Sequence, residues 1–347
     1  MEVILPKKNS FEIIIIGAGP GGLACATELA ENGRQVLVIE KNAQVGPKVC
    51  AGGVTWSGLG QYLPDDLIEK SFPEQIIQSN LQRIRISSAK PIISTVDRKK
   101  LGQYMLSKAE NAGVTVKIST DAKKISRRQI TTNTGDLEFK YLVGADGSSS
   151  IVRKFLGIPT KHVGVGIHHQ VPGAYDKMEW HLNSKLFDSG YAWIFPHKTS
   201  ASIGAYAYRP AIPPKELQQN FYQWVTKKGI DLKNSSPKAA LINFDYRGIC
   251  FGNFFLVGDA AGLASGLTGE GIYPAILSGH EAASAILTGD HPSSRLKKLL
   301  RRHTIHKQLT LISSRHKICS KLIMEILVAG LRIKCIPFSA LEMGCQD

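Results

Sequence analysis

Gly17, Gly19 and Gly22 keep the spacing GxGxxG inside the run IIIIGAGPGG, after an apolar segment and before a helical one. In that setting the first glycine permits a tight turn and the second lets the backbone approach a pyrophosphate. The third lets a helix pack closely on a strand. The phosphates then lie at the positive end of that helix. Glu40 closes the next apolar segment, where its carboxylate would accept hydrogen bonds from ribose hydroxyls and repel a 2′-phosphate. Far downstream, FFLVGDAAGLASGLTGEGI again follows an apolar strand with small residues, and it carries one early aspartate, Asp259. Taken singly, a glycine turn beside a surface glutamate, or a helix-capping aspartate, accounts for either signal. The pair predicts a dinucleotide held between distant parts of one chain.

The elements that must position these residues are legible as patterns. Phe11 to Ile16 reads as a buried parallel strand, Leu23 to Asn32 as its helix, and Gln35 to Glu40 as the next strand, a complete βαβ unit. Asp97 to Asn111 has helical spacing at Leu101, Met105, Leu106 and Ala109; Val114 to Ile118 and Tyr141 to Ala145 read as strands. From Gly164 to Tyr208 the pattern alternates, with turn signals at Asn183, Asp188 and Gly190, which predicts a mostly antiparallel sheet. Alternation puts Tyr191, Trp193 and Phe195 on one face. Ile249 to Val257 reads as one buried strand and Ile272 to Leu287 as a helix. The expected class is α/β. A Rossmann-like nucleotide domain (10–160 and 248–290) is interleaved with an antiparallel-sheet domain (164–247 with part of 54–96), and a basic helical segment (291–347) follows.

At 347 residues, 43% hydrophobic and 20% charged, the composition is that of an ordinary soluble protein. The net charge of +15 is not ordinary: from Arg295 to Lys334 there are eleven Lys or Arg against one acid, Glu325. RNA-binding aromatic signatures and zinc-finger spacings are absent, so nucleic acid is not expected. The expected partner of 295–334 is an anionic membrane surface, weighed against a merely solvated helix face. A helix from about Leu309 to Leu331, with apolar pairs at 311/312, 318/319, 322/323 and 326/327, supports an amphipathic face. Six cysteines without a CxxC predict neither a metal site nor a disulfide framework, and fit a reducing cytosol. Lys7 and Lys8, an apolar run and Ala24 to Ala26 mimic a signal peptide, but Glu12 and the glycines argue against one. The run Leu322 to Leu331 is broken by Glu325 and is shorter than the roughly 20 residues of a membrane span. A cytoplasmic protein, peripheral on the inner face of the membrane, is the expectation.

In their order and separation the two nucleotide signals resemble the flavoproteins related to para-hydroxybenzoate hydroxylase, which include aromatic hydroxylases, flavin halogenases and geranylgeranyl reductases. The resemblance spans roughly residues 10 to 290 and implies FAD, bound by a Rossmann-like domain of the hydroxylase type, the second glutathione-reductase class. It implies cofactor contacts for Gly17, Gly19, Gly21, Gly22, Glu40, Arg98 and Ala122. Asp259 would hold the ribityl chain, with Gly271 and Ile272 beside the isoalloxazine. Asp146, Ser150 and Arg153 fit the family's DGxxSxxR, which serves structure and cofactor binding; an Asp-closed turn is the plainer reading. KVCAGGV, from Lys48 to Val54, is similar to the segment that lies along the flavin in geranylgeranyl reductases, adding Cys50, Ala51 and Gly53 to the cofactor contacts. There Gly52 and Gly53 would let backbone N–H groups reach the ring, while Cys50 is either reactive or a small buried residue.

GYAWIFP, Gly190 to Pro196, resembles that family's YxWxFP more than the halogenases' WxWxIP. The resemblance therefore implies that Tyr191, Trp193 and Phe195 face a lipophilic substrate, the alternative being plain sheet core. Gly266 stands where many relatives carry proline, so a looser loop is expected there, and the chain is short after 290, where relatives wall a lipid tunnel with further helices. The implied reaction is reduction of isoprenoid carbon–carbon double bonds by hydride from reduced flavin N5, with NAD(P)H or ferredoxin as external reductant. Cys50 and Tyr191 are proton-donor candidates by position alone. Two alternatives stay open: a monooxygenase of an aromatic or polyketide-like substrate, and a non-catalytic flavin-binding protein at a membrane.

Overall fold

The computed structural model describes residues 9–60, 63–289 and 291–344. Lys7, Lys8 and Cys345 lie outside them. The molecule is mixed α/β. Its first sheet is centred on Ser10–Ile16, whose Ile13, Ile14 and Ile15 are fully buried. This strand pairs in parallel with Val36–Ile39 on one side and Gly135–Gly144 on the other. Thr115–Lys117 and Phe254–Leu256 extend the sheet outward, also in parallel. A run of β-branched residues without polar alternation is what a strand covered on both faces requires.

Helix Pro20–Glu31 covers this sheet together with Ile272–Leu287, and their close approach explains the small residues in both. A Cβ at Gly279 would come within 2.3 Å of the Gly21 carbonyl oxygen, and one at Gly21 within 2.8 Å of the Ala275 carbonyl oxygen. Helix Arg98–Asn111 begins where Asp97 accepts from the Lys99 and Lys100 amides at 2.7 and 2.9 Å. Such a cap stabilises a helix by about 1 kcal/mol.

The second sheet has seven strands, in the order Lys238–Asn243, Val163–Pro172, Ser200–Tyr208, Tyr191–Pro196, Glu179–His181, Glu74–Gln78, Arg83–Ser87. All neighbours are antiparallel except Glu179–His181 beside Glu74–Gln78. One face packs on helix Pro214–Lys227 through Ala192, Ile194 and Ala205 against Leu217, Phe221 and Trp224. The other face carries Tyr191, Trp193, Phe195 and Tyr206. A three-stranded sheet, in the order Gly53–Thr55, Ile93–Val96, Ile68–Phe72, is interleaved in the sequence with Glu74–Gln78 and Arg83–Ser87 of the second sheet. Helices Ser294–Ser313 and Lys317–Arg332 follow, then a short turn at Phe338–Leu341.

Two sequence expectations are corrected. Ile249 to Val257 is not one strand but a hairpin, Cys250–Phe251 antiparallel to Phe254–Leu256. Gly252 and Asn253 make its tight turn, with Gly252 at φ 68°, a conformation that a two-residue hairpin demands and the apolar run disguised. The single helix expected over 309–331 is also broken. The Ser313 and Ser314 hydroxyls donate back to the carbonyls of Leu309 and Thr310, and His316 is extended at φ −148° as a new helix starts.

Candidate active site

The glycine turn is built by exclusion. Gly17 sits at φ +105°, and a Cβ there would lie 2.4 Å from the Ala145 carbonyl oxygen; one at Gly22 would lie 2.1 Å from the Gly17 oxygen. At Gly19 the nearest protein atom to a Cβ would be 3.9 Å away, so the space before this residue belongs to the cleft. No side chain caps helix Pro20–Glu31, which leaves its positive end facing that space. Glu40 accepts from the amides of Ala18 and Asn42, each at 2.9 Å, and so ties the turn to the second strand. Oε1 also accepts from the Asn42 side-chain amide at 2.6 Å, whereas Oε2 keeps lone-pair capacity for a further donor.

Two clefts meet here. One, of about 450 Å³, is bounded by Gly17, Gly19, Glu40 and Ala122; the other, of about 230 Å³, by Cys50, Ala51, Gly53, Gly271 and Ile272. Gly19, Lys48, Arg98 and Ala145 border both. At the junction the Arg98 Nε and Nη1 atoms are buried with no partner among the described residues, as is Asp146 Oδ1. Buried donors without acceptors are costly, and a long, oxygen-rich ligand running through both clefts would supply them.

Asp259 borders the smaller cleft, pairing with Lys48 Nζ at 3.1 Å and accepting from Ser148 Oγ at 3.2 Å. It does not cap a helix: the cap position of the four-residue turn Gly258–Ala261 is Val257. Within DGxxSxxR the roles divide. Asp146 accepts from the Ile151 amide at 2.6 Å and lines the larger cleft, and burial raises its carboxyl above the usual range. Ser150 caps the next helix. Arg153, fully buried, donates to the carbonyls of Ala260, Pro159 and Asp245 at 3.1, 2.9 and 2.7 Å. It therefore acts as an internal clasp.

Along 48–54 the glycines have a different cause from the one expected. A Cβ at Gly52 would lie 2.6 Å from His197 Cε1, and one at Gly53 would lie 2.9 Å from the Phe195 ring. Packing against the second sheet already requires both. His197 Nε2 donates to the Ala51 carbonyl at 3.0 Å, fixing the segment beside the aromatic face. Tyr191, Trp193 and Phe195 all border the smaller cleft, and the Trp193 indole donates to Ser202 Oγ at 3.1 Å while lying against Gly204. The Tyr191 hydroxyl donates to the Thr268 carbonyl, and burial raises it far above its ordinary value. That hydrogen bond ties the Tyr191 hydroxyl to the loop. Cys50 stays on the cleft wall, its sulfur accepting from the Gly52 amide at 3.4 Å.

The loop after Asp259 is not slack at Gly266. The Gly266 carbonyl accepts from Tyr206 at 2.8 Å, a Cβ there would strike the Phe244 ring at 2.8 Å, and Ser265 Oγ receives the Leu267 and Thr268 amides. Within this loop lies the residue that sequence reasoning missed. Glu270 borders the smaller cleft and accepts from Thr55 Oγ1 at 3.0 Å and the Met343 amide at 2.8 Å. Burial is the main cause that lifts its carboxyl to about 7; the neighbouring Glu342 adds to this, and Arg302 opposes it. The only sequence signal was an acid set between Gly269 and Gly271.

The far wall of the smaller cleft is apolar and comes from the C-terminal part of the chain: Met324, Leu327, Leu331, Phe338 and Leu341. Three residues, Arg302, His306 and Ser57, hold its 338–344 part. Arg302 donates to the carbonyls of Ser339 and Glu342 at 3.0 and 2.9 Å and also to that of Gly344. His306 bonds Ser265 Oγ through Nδ1 and the Ala340 carbonyl through Nε2, at 2.8 and 2.9 Å. Ser57 donates to the buried Glu342.

A parallel sheet with a glycine turn at one strand end, a second loop at the next, and an aromatic antiparallel sheet across the cleft defines a flavin-binding oxidoreductase fold. Residues 10–309 match the family model described as FAD binding domain, and the chain belongs to that family of FAD-dependent oxidoreductases. It is 26% identical over 324 residues to a digeranylgeranylglycerophospholipid reductase of Methanocaldococcus jannaschii, covering 84% of this chain and 82% of that one. Among solved structures, a geranylgeranyl bacteriochlorophyll reductase-like protein from Thermoplasma acidophilum superposes with a TM-score of 0.73 at 21% identity. The match covers 92% of this chain and 96% of that one. A probable FAD-dependent monooxygenase from Pseudomonas aeruginosa shares the fold at a TM-score of 0.66 and 16% identity, over 92% and 100% of the two chains.

Proposed function

We propose that the protein saturates carbon–carbon double bonds of an isoprenoid chain. The observation that carries this reading is the continuity of the flavin cleft with an apolar space walled on one side by Tyr191, Trp193 and Phe195 and on the other by Met324, Leu327 and Leu331. The reductases among its relatives support it. Bound FAD would supply hydride chemistry when reduced. The protein's own part is to seat the cofactor through the glycine turn, Glu40, Arg98 and Asp259, to exclude water and to deliver a proton.

For the proton we assign Glu270. It borders the cleft beside Gly271, two polar hydrogens fix its carboxylate, and its carboxyl titrates at about 7. A donor tuned close to working pH is protonated for a useful fraction of the time yet still acidic enough to give its proton up. The aromatic face and the helix Lys317–Arg332 orient the chain so that one alkene carbon meets the ring and the other meets this acid.

The test is anaerobic. Enzyme reduced with dithionite is expected to reoxidise on mixing with a geranylgeranyl lipid, giving a product heavier by hydrogen across each reduced bond. If no prenyl lipid reoxidises it, and an aromatic substrate instead drives oxygen consumption with NAD(P)H, the protein is a monooxygenase and the proposal fails.

A further inference from the structure

Helix Lys317–Arg332 has two faces that do different things. Its inner face, Met324, Val328 and Leu331, is buried; Val328 and Leu331 pack on Ile77 and Ile84 of the seven-stranded sheet, while Met324, Leu327 and Leu331 wall the cavity. Its outer face is apolar too. Ile318, Leu322 and Ile326, spaced by four and so forming one stripe, are 81, 59 and 56% exposed, and Ile333 just beyond the helix is 72% exposed. Exposed isolated apolar residues are ordinary, but a stripe of them along one helix is not.

The exposed charges of this segment are basic. Arg315, Lys317, Lys321, Arg332 and Lys334 are exposed at its ends and along its flank. Glu325, the one acid between Arg295 and Lys334, lies at the edge of the stripe, seven residues after Ile318, and its carboxylate is engaged: it accepts from Ser79 Oγ at 2.7 Å, the Leu81 amide at 3.0 Å and Gln82 Nε2 at 3.0 Å. Those bonds also bring Leu81, 74% exposed, to the edge of the same surface. An apolar stripe with a predominantly basic border, five exposed cations against the hydrogen-bonded Glu325 and the buried Asp188 near Lys317, matches a layer that is negative at its surface and apolar beneath it. It does not match a second copy of this chain, since a net charge of +15 on each copy opposes self-association.

We propose that the outer face of helix Lys317–Arg332 docks on an anionic lipid bilayer, so that the membrane face and the cavity wall are opposite sides of one helix. Cations draw the helix to the headgroups, and Ile318, Leu322, Ile326 and Ile333 enter the acyl boundary. A lipid leaving the bilayer then has only this helix to pass before it reaches the aromatic sheet. The docking does not depend on which bond of the lipid is changed, so it stands or falls separately from the reaction.

The test is sedimentation of the full-length, FAD-loaded protein with vesicles of phosphatidylcholine alone or mixed with phosphatidylglycerol. Wild type is expected to pellet with the anionic vesicles, and less so as salt rises. The triple variant Ile318→Ser, Leu322→Ser, Ile326→Ser and the double variant Lys317→Glu, Lys321→Glu are each expected to lose roughly tenfold or more in vesicle affinity. The five positions changed in the two variants, 317, 318, 321, 322 and 326, are all exposed, so an unchanged flavin spectrum should accompany the loss. Wild type remaining in the supernatant, or a triple variant that pellets like wild type, overturns the proposal. So does a concentration-dependent wild-type dimer that the triple variant abolishes, because the stripe would then belong to a second copy.

Discussion

Glu270, proposed above as the proton donor, also links protonation to folding. Its folded carboxyl titrates at about 7 against an ordinary value of 4.5. An acid whose value is raised binds more protons folded than unfolded, so its contribution to stability is complete below 4.5 and is lost as pH rises through about 7. The loss amounts to about 3 kcal/mol. Between pH ~5 and pH ~8, thermal unfolding should therefore show wild type weakening relative to Glu270→Gln, which has no carboxyl to ionise. Parallel pH profiles for the two proteins would remove the linkage. In turnover, the same variant is expected to lose about a hundredfold in the alkene-saturating step while flavin reduction is unchanged. Its residual rate should lack the wild-type dependence on pH near 7.

Among the elements, helix Ser294–Ser313 is the fastener. It reaches the loop after Asp259 through His303, which bonds the Gly262 carbonyl at 3.0 Å, and through His306 on Ser265; it reaches the 338–344 segment through Arg302. Arg302→Ala should release that segment, costing about 2 kcal/mol for the charged hydrogen bonds lost. The check is faster amide exchange over 338–344 with the glycine turn unaffected. Uniform exchange across the molecule would mean that the clasp is not local.

The elements also show what could be read in advance. The glycine turn, Glu40, Asp259 and the 191/193/195 face were legible because each is written in a short contiguous pattern. Glu270 was not, because Thr55, which fixes it, is 215 positions away, and Met343 is 73 away. Gly52 and Gly53 were legible as glycines but not in cause, since His197 and Phe195 are distant in sequence. The hairpin at Gly252 was hidden because its turn interrupts an otherwise apolar run, where periodicity cannot separate one strand from two.

For the whole molecule, the larger cleft brings the glycine turn together with Ala122 and Asp146, and the smaller one brings the second sheet and the C-terminal helices together with the loop after Asp259. A ligand filling both would stabilise the assembly rather than one part. FAD at a hundredfold excess over its dissociation constant should raise the unfolding free energy by about 2.7 kcal/mol. For a chain of 347 residues this is a rise in melting temperature of about 4 °C. Riboflavin at the same concentration as FAD lacks the ADP half and should give less, because it leaves the glycine turn and Glu40 unused and so binds more weakly. Equal shifts for the two ligands would mean that the larger cleft contributes nothing to binding.

The order of strands in the first sheet has a consequence for how the chain comes to be folded. Gly135–Gly144 lies between Ser10–Ile16 and Phe254–Leu256, so its neighbours on the two sides come from segments separated by more than two hundred positions. Closing such long loops is slow, and parallel pairing of this kind postpones the reward until late. A nascent chain that has not yet produced Phe254 leaves Gly135–Gly144 with a bare apolar strand edge, which other chains can pair with. Expression yield should accordingly depend on what shields that edge during synthesis, and a fragment stopping short of residue 254 is the version of this protein most prone to aggregate.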